Sequence, residues 1–219
     1  MTTLPFSQQR INMVEGQLRP NKVNDKAVLH QFTHLPREEF TGQGPQAYLD
    51  QPVTLAPGRQ MYTPMAQARL IQALMPSAAD NCLVIAAATC YSAAVLSGLC
   101  RHVTALEDDA GLAKKARNLL QSRNLKNLAL VEGDILHGYA KNAPYNFILV
   151  DAACAVSIPV EWKAQLAEGG RLAGVFYSPE GLAEASVFTR HGQSLVQEVL
   201  FETKALPHPV LRTQEAFIF

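Results

Sequence analysis

The feature that most constrains the fold is an alternation, after Pro76, of short aliphatic runs with helix-forming segments. We predict, in chain order, strand 82–86, a helix to 99, strand 103–106, helix 109–123, strands 128–131 and 147–150, helix 159–166 and strand 171–176. Such alternation is typical of a mostly parallel sheet with helices on both faces. The sequence therefore predicts a fold of the α/β class.

Both ends of the chain depart from this alternation. Residues 8–39 have a helical pattern, with Asn24-Asp25 as a cap before the second helix and Pro36 as its end. Residues 195–203 and 215–219 read as strands without a helix between them, which indicates an antiparallel hairpin at one sheet edge. We expect one domain, 1–219, in which an N-terminal helical addition, 1–75, precedes the core, 76–219.

Composition excludes several classes of partner. The 219 residues are 48% apolar, enough for one substantial core, and 19 Lys and Arg balance 19 Asp and Glu. Without a broad positive field, neither nucleic acid nor an anionic membrane is an expected partner. The four cysteines form no CxxC pair and have no histidines at zinc-ligand spacing, so we expect buried thiols and no metal.

The N-terminus lacks a basic segment followed by an apolar run, so we expect a protein of the reducing cytoplasm. The uncharged stretch 81–100 approaches the roughly 20 residues of a membrane-spanning helix, which is the alternative interpretation. It divides, however, into an aliphatic strand and an Ala-rich helix that begins near Thr89.

Acidic residues follow three consecutive predicted strands: Glu107, Asp134 and Asp151. In an open α/β sheet, ligands bind beyond the carboxyl ends of the strands. Glu107 lies roughly 20 positions after Ala86, the spacing at which a carboxylate accepts hydrogen bonds from ribose hydroxyls. The alternative is that these acids meet solvent or cap the next helix, a role for which Asp108 and Asp109 are better placed.

Five ordered motifs give the chain a resemblance to a known family. They are 13–19 (MVEGQLR), 35–40 (LPREEF), 91–94 (YSAA), 131–134 (VEGD) and 168–172 (EGGRL). The chain resembles the protein-L-isoaspartate O-methyltransferases nearly end to end. The resemblance implies a Rossmann-like methyltransferase sheet with an N-terminal helical addition, S-adenosylmethionine as the methyl donor, and isoaspartyl-containing peptides or proteins as the acceptor.

The resemblance also implies roles for single residues. Glu107 would bind the cofactor ribose, Asp134 would lie near the adenine amino group, and Asp151 would face the sulfonium of the donor. A carboxylate near a cationic donor helps to bind it, provided that it does not stabilise the ground state more than the transition state.

The first family motif is a glycine-rich turn between strand and helix, and this chain has Ala86, Ala88 and Cys90 at its three glycine positions. With the following Tyr91, they are the expected cofactor-binding turn. Glycine adopts positive φ freely, whereas another residue there costs roughly 1–2 kcal/mol. Either the turn is strained or it follows a different, unstrained path.

A second departure concerns the substrate loop, where the family usually has a serine shortly before a proline. Here Tyr62 stands in the serine's place and Thr63 precedes Pro64. Thr63, Tyr62 and Asp151 are therefore the candidate catalytic residues, with Thr63 as the nearest short hydroxyl. The alternative for Tyr62 is packing over the N-terminal helices.

Three functions remain open from the sequence. The leading hypothesis is methyl transfer from S-adenosylmethionine to an isoaspartyl carboxylate, in which positioning supplies most of the effect. The second is a degenerate family member that binds cofactor weakly or not at all and acts as a non-catalytic binding protein. A nicotinamide dehydrogenase ranks last, because no GxGxxG turn is present to hold a pyrophosphate.

Two smaller features each have an ordinary structural alternative. His30 and His34 share the spacing of a metal-binding pair, but no acidic partner motif accompanies them. Arg19 and Arg37 could pair with a substrate carboxylate or could be solvated or structural arginines.

Overall fold

The computed structural model describes residues 4–155 and 157–212. Its helices are α1 (Phe6–Met13), α2 (Lys26–His34), α3 (Arg37–Thr41), α4 (Pro64–Ala73), α5 (Tyr91–Ser97), α6 (Ala110–Gln121) and α7 (Val160–Gln165). Its strands are β1 (Val53–Ala56), β2 (Arg59–Met61), β3 (Asn81–Ile85), β4 (His102–Glu107), β5 (Leu128–Glu132), β6 (Tyr145–Cys154), β7 (Leu166–Tyr177), β8 (Ala183–His191) and β9 (Ser194–Glu202). Within the described ranges, no helix has the length and apolar character that a membrane span requires.

A seven-stranded sheet in the order β5-β4-β3-β6-β7-β8-β9 forms the centre of the molecule. The strands from β5 to β7 run parallel, and β8 and β9 are antiparallel. The chain moves outward from β3 to β5 and then returns to the other side of β3 with β6, so the strand order reverses between β3 and β6. The predicted α/β class, with a mostly parallel sheet and an antiparallel edge, is confirmed, and a ligand crevice is expected beyond β3 and β6.

The antiparallel edge differs from the prediction in its strand content. The hairpin partner of β9 is β8, which was not among the predicted strands, and residues 215–219 lie outside the described ones. The Ala, Glu and Ser residues at the start of β8 have weak strand preference. They become a strand because β7 and β9 pair with them on both sides, which local sequence does not reveal.

Among the N-terminal helices, α2 begins and ends where its sequence signals predict, whereas α1 begins at Phe6, two residues before the predicted start. The Asp25 side chain accepts hydrogen bonds from the backbone N–H groups of Ala27 and Val28, which confirms the predicted cap of α2. That helix ends at His34, before Pro36. Apolar residues of these helices belong to the same buried cluster as residues of β3, β6 and β7, so the N-terminal addition packs on the sheet.

Candidate functional site

The carboxyl ends of the three central strands lie level with one another. Ile85 of β3 is in register with Leu106 of β4 and with Val150 of β6. The residue that follows Leu106 is Glu107, and the residue that follows Val150 is Asp151. Two of the three predicted acidic residues therefore flank the turn that leaves β3.

That turn has the backbone conformation that glycine favours. The φ angle is 57° at Ala86, 51° at Ala88 and 66° at Cys90, so all three expected glycine positions are left-handed. Each carries a Cβ there at a cost of roughly 1–2 kcal/mol. The chain has kept the shape of the turn despite losing its glycines, and the alternative of a shifted, unstrained path is wrong.

Glu107 is fully buried and accepts four hydrogen bonds. Arg59 binds it through both guanidinium nitrogens, with Nη1 2.6 Å from Oε1 and Nη2 2.7 Å from Oε2. The backbone N–H of Asp109 donates to Oε1 at 2.8 Å, and that of Ala88 donates to Oε2 at 2.5 Å. Two acceptor positions on each oxygen are thus filled, so the predicted ribose acceptor is saturated by the protein itself.

Arg59 reaches Glu107 from the β1–β2 hairpin, and Asp108 and His208 are the next polar side chains of this cluster. Its Nη1 also lies 3.0 Å from Oδ1 of Asp108, and the same oxygen lies 3.4 Å from Nε2 of His208. Burial raises the pKa of Asp108, but His208 and Arg59 outweigh it and hold the pKa at about 2. Arg59 from the hairpin and His208 from the C-terminal segment thus converge on the end of β4.

The C-terminal segment 205–212 covers the same sheet edge. The backbone N–H of His208 donates to the carbonyl of Ala153 at 2.9 Å, and Pro207 forms a parallel bridge with the same residue. Pro209 lies against Gly58 at the hairpin tip, where an added Cβ would meet its Cγ at 2.8 Å. Hairpin and C-terminal segment therefore close together over the strand ends.

Little space remains beneath this cover. The cavity lined by Arg59, Tyr62, Ala152 and His208, among others, has a volume of about 10 Å³. One water molecule occupies roughly 30 Å³ in the liquid, and small-molecule sites span roughly 300–1,000 Å³. The space between the hairpin and the C-terminal segment is therefore too small for a nucleoside in this conformation, and Glu107 does not line it.

Asp151 is buried at the end of β6 without a guanidinium contact like that of Glu107. Gln67 Nε2 lies 3.4 Å from its Oδ1 and 2.8 Å from the hydroxyl oxygen of Ser92. Burial raises the pKa of Asp151 to about 6, against the opposing effect of Ser92, Gln67 and the more distant Arg37. A carboxylate that is 6% exposed and weakly paired therefore lies beside the turn.

Arg37 is fully buried and serves the structure. It donates to the carbonyls of Ala47 and Tyr62 and to the side-chain oxygen of Gln67. Because the contact with Gln67 orients that amide toward Asp151, Arg37 positions a residue of the site without touching Asp151 itself. Arg19 is exposed and pairs with Glu15. Of the two roles considered for Arg37, the structural one agrees with this geometry.

The two candidate substrate-loop residues have different surroundings. The Tyr62 ring is 4% exposed and lies in the main apolar cluster, where burial and then Asp151 raise the pKa of its hydroxyl well above the usual value. Thr63 is half-buried, and its hydroxyl oxygen accepts from the N–H of Ala66 at 3.1 Å as the N-cap of α4. Tyr62 is therefore a core residue that faces the site, and the Thr63 hydroxyl is engaged in capping.

The remaining predicted cofactor residues, Cys90, Tyr91 and Asp134, have three different environments. Cys90 is fully buried, and burial followed by Glu107 and Asp151 raises the pKa of its thiol. The Tyr91 ring packs edge-on against Phe32 and Phe40 of the N-terminal helices. Asp134 is exposed, where it caps a short 3-10 turn through Leu136 N–H and pairs with His137.

The residues that sequence reasoning missed are Arg59, Asp108 in its pairing role, His208 and Gln67. Arg59 follows Pro57-Gly58, a turn signal, and nothing in that pattern links it to Glu107, which is 48 positions away. A buried arginine requires acceptors for its guanidinium, but only the fold shows which ones it meets.

The comparisons with known proteins agree with this architecture. Residues 8–207 match the family described as protein-L-isoaspartate(D-aspartate) O-methyltransferase (PCMT). A protein-L-isoaspartate O-methyltransferase of Koribacter versatilis is 36% identical over 177 residues, 80% of this chain and 79% of that protein. One of Aliivibrio fischeri is 30% identical over 200 residues, 90% of this chain and 95% of that protein.

Solved structures share the fold. A protein-L-isoaspartate O-methyltransferase superposes with a TM-score of 0.79 at 23% identity, over 90% of this chain and 65% of that one. A Plasmodium falciparum structure, described as a putative protein-L-isoaspartate O-methyltransferase in complex with S-adenosyl-L-homocysteine, has a TM-score of 0.77 at 17% identity, over 94% and 99% of the two chains. With the family match over residues 8–207, the chain belongs to the protein-L-isoaspartate(D-aspartate) O-methyltransferase family.

Proposed function

We propose that this protein is an S-adenosylmethionine-dependent O-methyltransferase that methylates the isoaspartyl carboxylate of damaged proteins, and that it acts in the cytoplasm. The observation that carries the proposal is the family match over residues 8–207, which includes both the site and the N-terminal helices. The names of its bacterial relatives and the S-adenosylhomocysteine in the Plasmodium complex support the same substrate class and cofactor. Four cysteines that all retain their thiols are compatible with a reducing compartment.

The residues fit the cofactor in backbone conformation and charge, but the expected ribose acceptor, Glu107, is already occupied in this conformation. The turn keeps positive φ at Ala86, Ala88 and Cys90, and acidic residues end β4 and β6 beside it. The position that a ribose would take at Glu107 is filled by Arg59. Cofactor binding therefore requires that Arg59 leave Glu107.

The chain's own residues then have definite tasks. Glu107 would accept hydrogen bonds from the ribose hydroxyls, and the exposed Asp134 would lie near the adenine amino group. Asp151, in a buried and weakly paired position, would bind the cationic end of the donor. When bound, the cofactor supplies the methyl group. Because the acceptor carboxylate is already nucleophilic near neutral pH, no strong general base is needed. Tyr62 and Thr63 would line the substrate side of the site and exclude water.

A transfer assay with labelled S-adenosylmethionine tests the proposal. We expect the full chain to form a base-labile methyl ester on a peptide that contains isoaspartate, and none on the same peptide with aspartate. The absence of transfer at millimolar donor and peptide would contradict the proposal. It would favour the second hypothesis, a family member that has retained the fold for binding.

A further inference from the structure

The strongest feature that the proposed function does not use is the contact between Arg59 and Glu107. We propose that Arg59 determines cofactor affinity: its guanidinium occupies the carboxylate that a ribose must bind, so cofactor and Arg59 compete for Glu107. This inference rests on the proposed function, because it concerns the same cofactor.

The competition follows from the number of acceptor positions. Glu107 has two oxygens with two acceptor positions each, and Arg59 takes one position on each oxygen. The other two are filled by Asp109 N–H and Ala88 N–H, which are backbone groups of the turns that shape the site. Two adjacent ribose hydroxyls require the two positions that Arg59 holds. Only Arg59, which is a side chain on a separate hairpin, can leave them.

The contact is strong enough to affect affinity. A bidentate guanidinium–carboxylate pair is charge-assisted and geometrically matched, and this pair is almost fully shielded from solvent, at 5% and 0% exposure. Asp108 gives Arg59 a second carboxylate on the same side, at 3.0 Å. The ligand must therefore replace a strong internal contact, and the free energy of breaking it is subtracted from that of binding.

The hairpin that carries Arg59 also provides a way to open the site. Beyond the contacts of Arg59 with Glu107 and Asp108, the hairpin meets the C-terminal segment at Gly58 and Pro209, and the cavity between the two segments measures about 10 Å³. Displacement of Arg59 removes the side chain that fills this space and uncovers the carboxylate in one movement. Arg59 is thus both the competitor and part of the cover.

Calorimetric titration of the full chain with S-adenosylhomocysteine tests the proposal. We expect Arg59→Ala to bind at least roughly tenfold more tightly than the wild type, since a hydrogen bond to a charged group is worth about 1.5–3 kcal/mol. Arg117→Ala is the matched control, because Arg117 pairs with Glu132 on the exposed end of the next strand, and its affinity should equal that of the wild type. Unchanged or weaker binding by a folded Arg59→Ala, or no binding by either protein, would overturn the proposal.

Two further measurements make the result specific to Glu107. In the Arg59→Ala background, Glu107→Gln should remove most of the gain, because an amide offers only one acceptor oxygen. If Arg59→Ala does not fold, as judged by circular dichroism, Arg59→Lys replaces it. A lysine cannot pair bidentately with Glu107, so the Arg59→Lys variant should bind S-adenosylhomocysteine more tightly than the wild type. Affinity equal to or below that of the wild type would again overturn the proposal.

Wild-type protein supplies a test without substitution. Nitrogen-detected NMR should show the Arg59 guanidinium signals changing as S-adenosylhomocysteine is added, and signals that stay constant at saturation would refute competition. The methyl-transfer assay keeps the two proposals distinguishable. Transfer by the wild type without a gain in Arg59→Ala defeats only the competition, whereas a gain in affinity without any transfer defeats only the proposed activity.

Discussion

Glu107 and Asp151 are two buried carboxyl groups at the ends of strands that both flank β3, yet their surroundings are opposite. Glu107 accepts four hydrogen bonds, two of them from the guanidinium of Arg59. Asp151 instead meets the neutral side chains of Ser92 and, at 3.4 Å, Gln67, because Arg37 donates to Ala47, Tyr62 and Gln67. Glu107 is already paired with a cationic side chain of the protein, whereas Asp151 is available to pair with a cationic group of a ligand.

The difference shows that position at a strand end does not decide whether an acid is available for a ligand. Both residues occupy the level of the sheet at which α/β proteins bind ligands. What separates them is the placement of an arginine from a distant segment. Removal of each carboxylate should therefore have different consequences for stability.

The largest effect is expected for Glu107→Ala. From the sequence alone, this substitution should remove cofactor binding with little change in melting temperature. The structure predicts instead a loss of about 3–5 kcal/mol in the free energy of unfolding, because the substitution leaves Arg59 buried with only Asp108 as its carboxylate partner. Urea denaturation measures this loss.

Glu132→Ala, which breaks an exposed ion pair, is the control and should cost at most about 1 kcal/mol. Equal costs would mean that the Glu107 pair is no stronger than a surface pair.

Asp151 should give the next largest effect, as a dependence of stability on pH. Its pKa is raised from an ordinary 3.8 to about 6, so between these values the folded protein binds more protons than the unfolded chain. Stability should therefore fall as pH rises from about 4 to about 6, by at most about 3 kcal/mol. Asp151→Asn should flatten this part of the curve, and the exposed Asp134→Asn should not. A wild-type curve that rises throughout this interval would contradict the assigned environment of Asp151.

The smallest effect concerns the turn between the two acids. Ala88→Gly should raise the free energy of unfolding by about 0.5–1 kcal/mol, since relief of positive φ exceeds the entropic cost of glycine. Ala87→Gly is the neighbouring control, because Ala87 does not have positive φ, and it should lower stability by a similar amount. Thermal melts of the two variants measure the difference. A loss of stability in both would show that the turn is not strained at Ala88.

The sequence predicted those parts of the molecule that depend on local pattern. Each of β3 to β7 lies where an aliphatic run was identified, and the cap at Asp25 follows from residue type. The turn from Ala86 to Cys90 was expected only from the resemblance to the family, since its residues disfavour positive φ. β8 was not predicted, because its pairing with β7 and β9 and not its own residues make it a strand. The single-domain organisation, with a boundary near residue 75, stays a prediction.

The backbone of the site and its carboxylates could be predicted from the sequence. The side chains that pair with those carboxylates could not. Glu107 and Asp151 could be placed because they follow strands directly. Arg59 and His208 reach the same edge from a hairpin and from the C-terminal segment. Contacts over such separations arise from tertiary packing, for which a single sequence has no periodic signal.

The most direct measurement is a crystal structure of the full chain grown with saturating S-adenosylhomocysteine. Our account predicts ribose hydroxyls on both oxygens of Glu107, with Arg59 displaced from them and the turn from Ala86 to Cys90 unchanged. A structure with the ligand bound and the Arg59–Glu107 pair intact would contradict it.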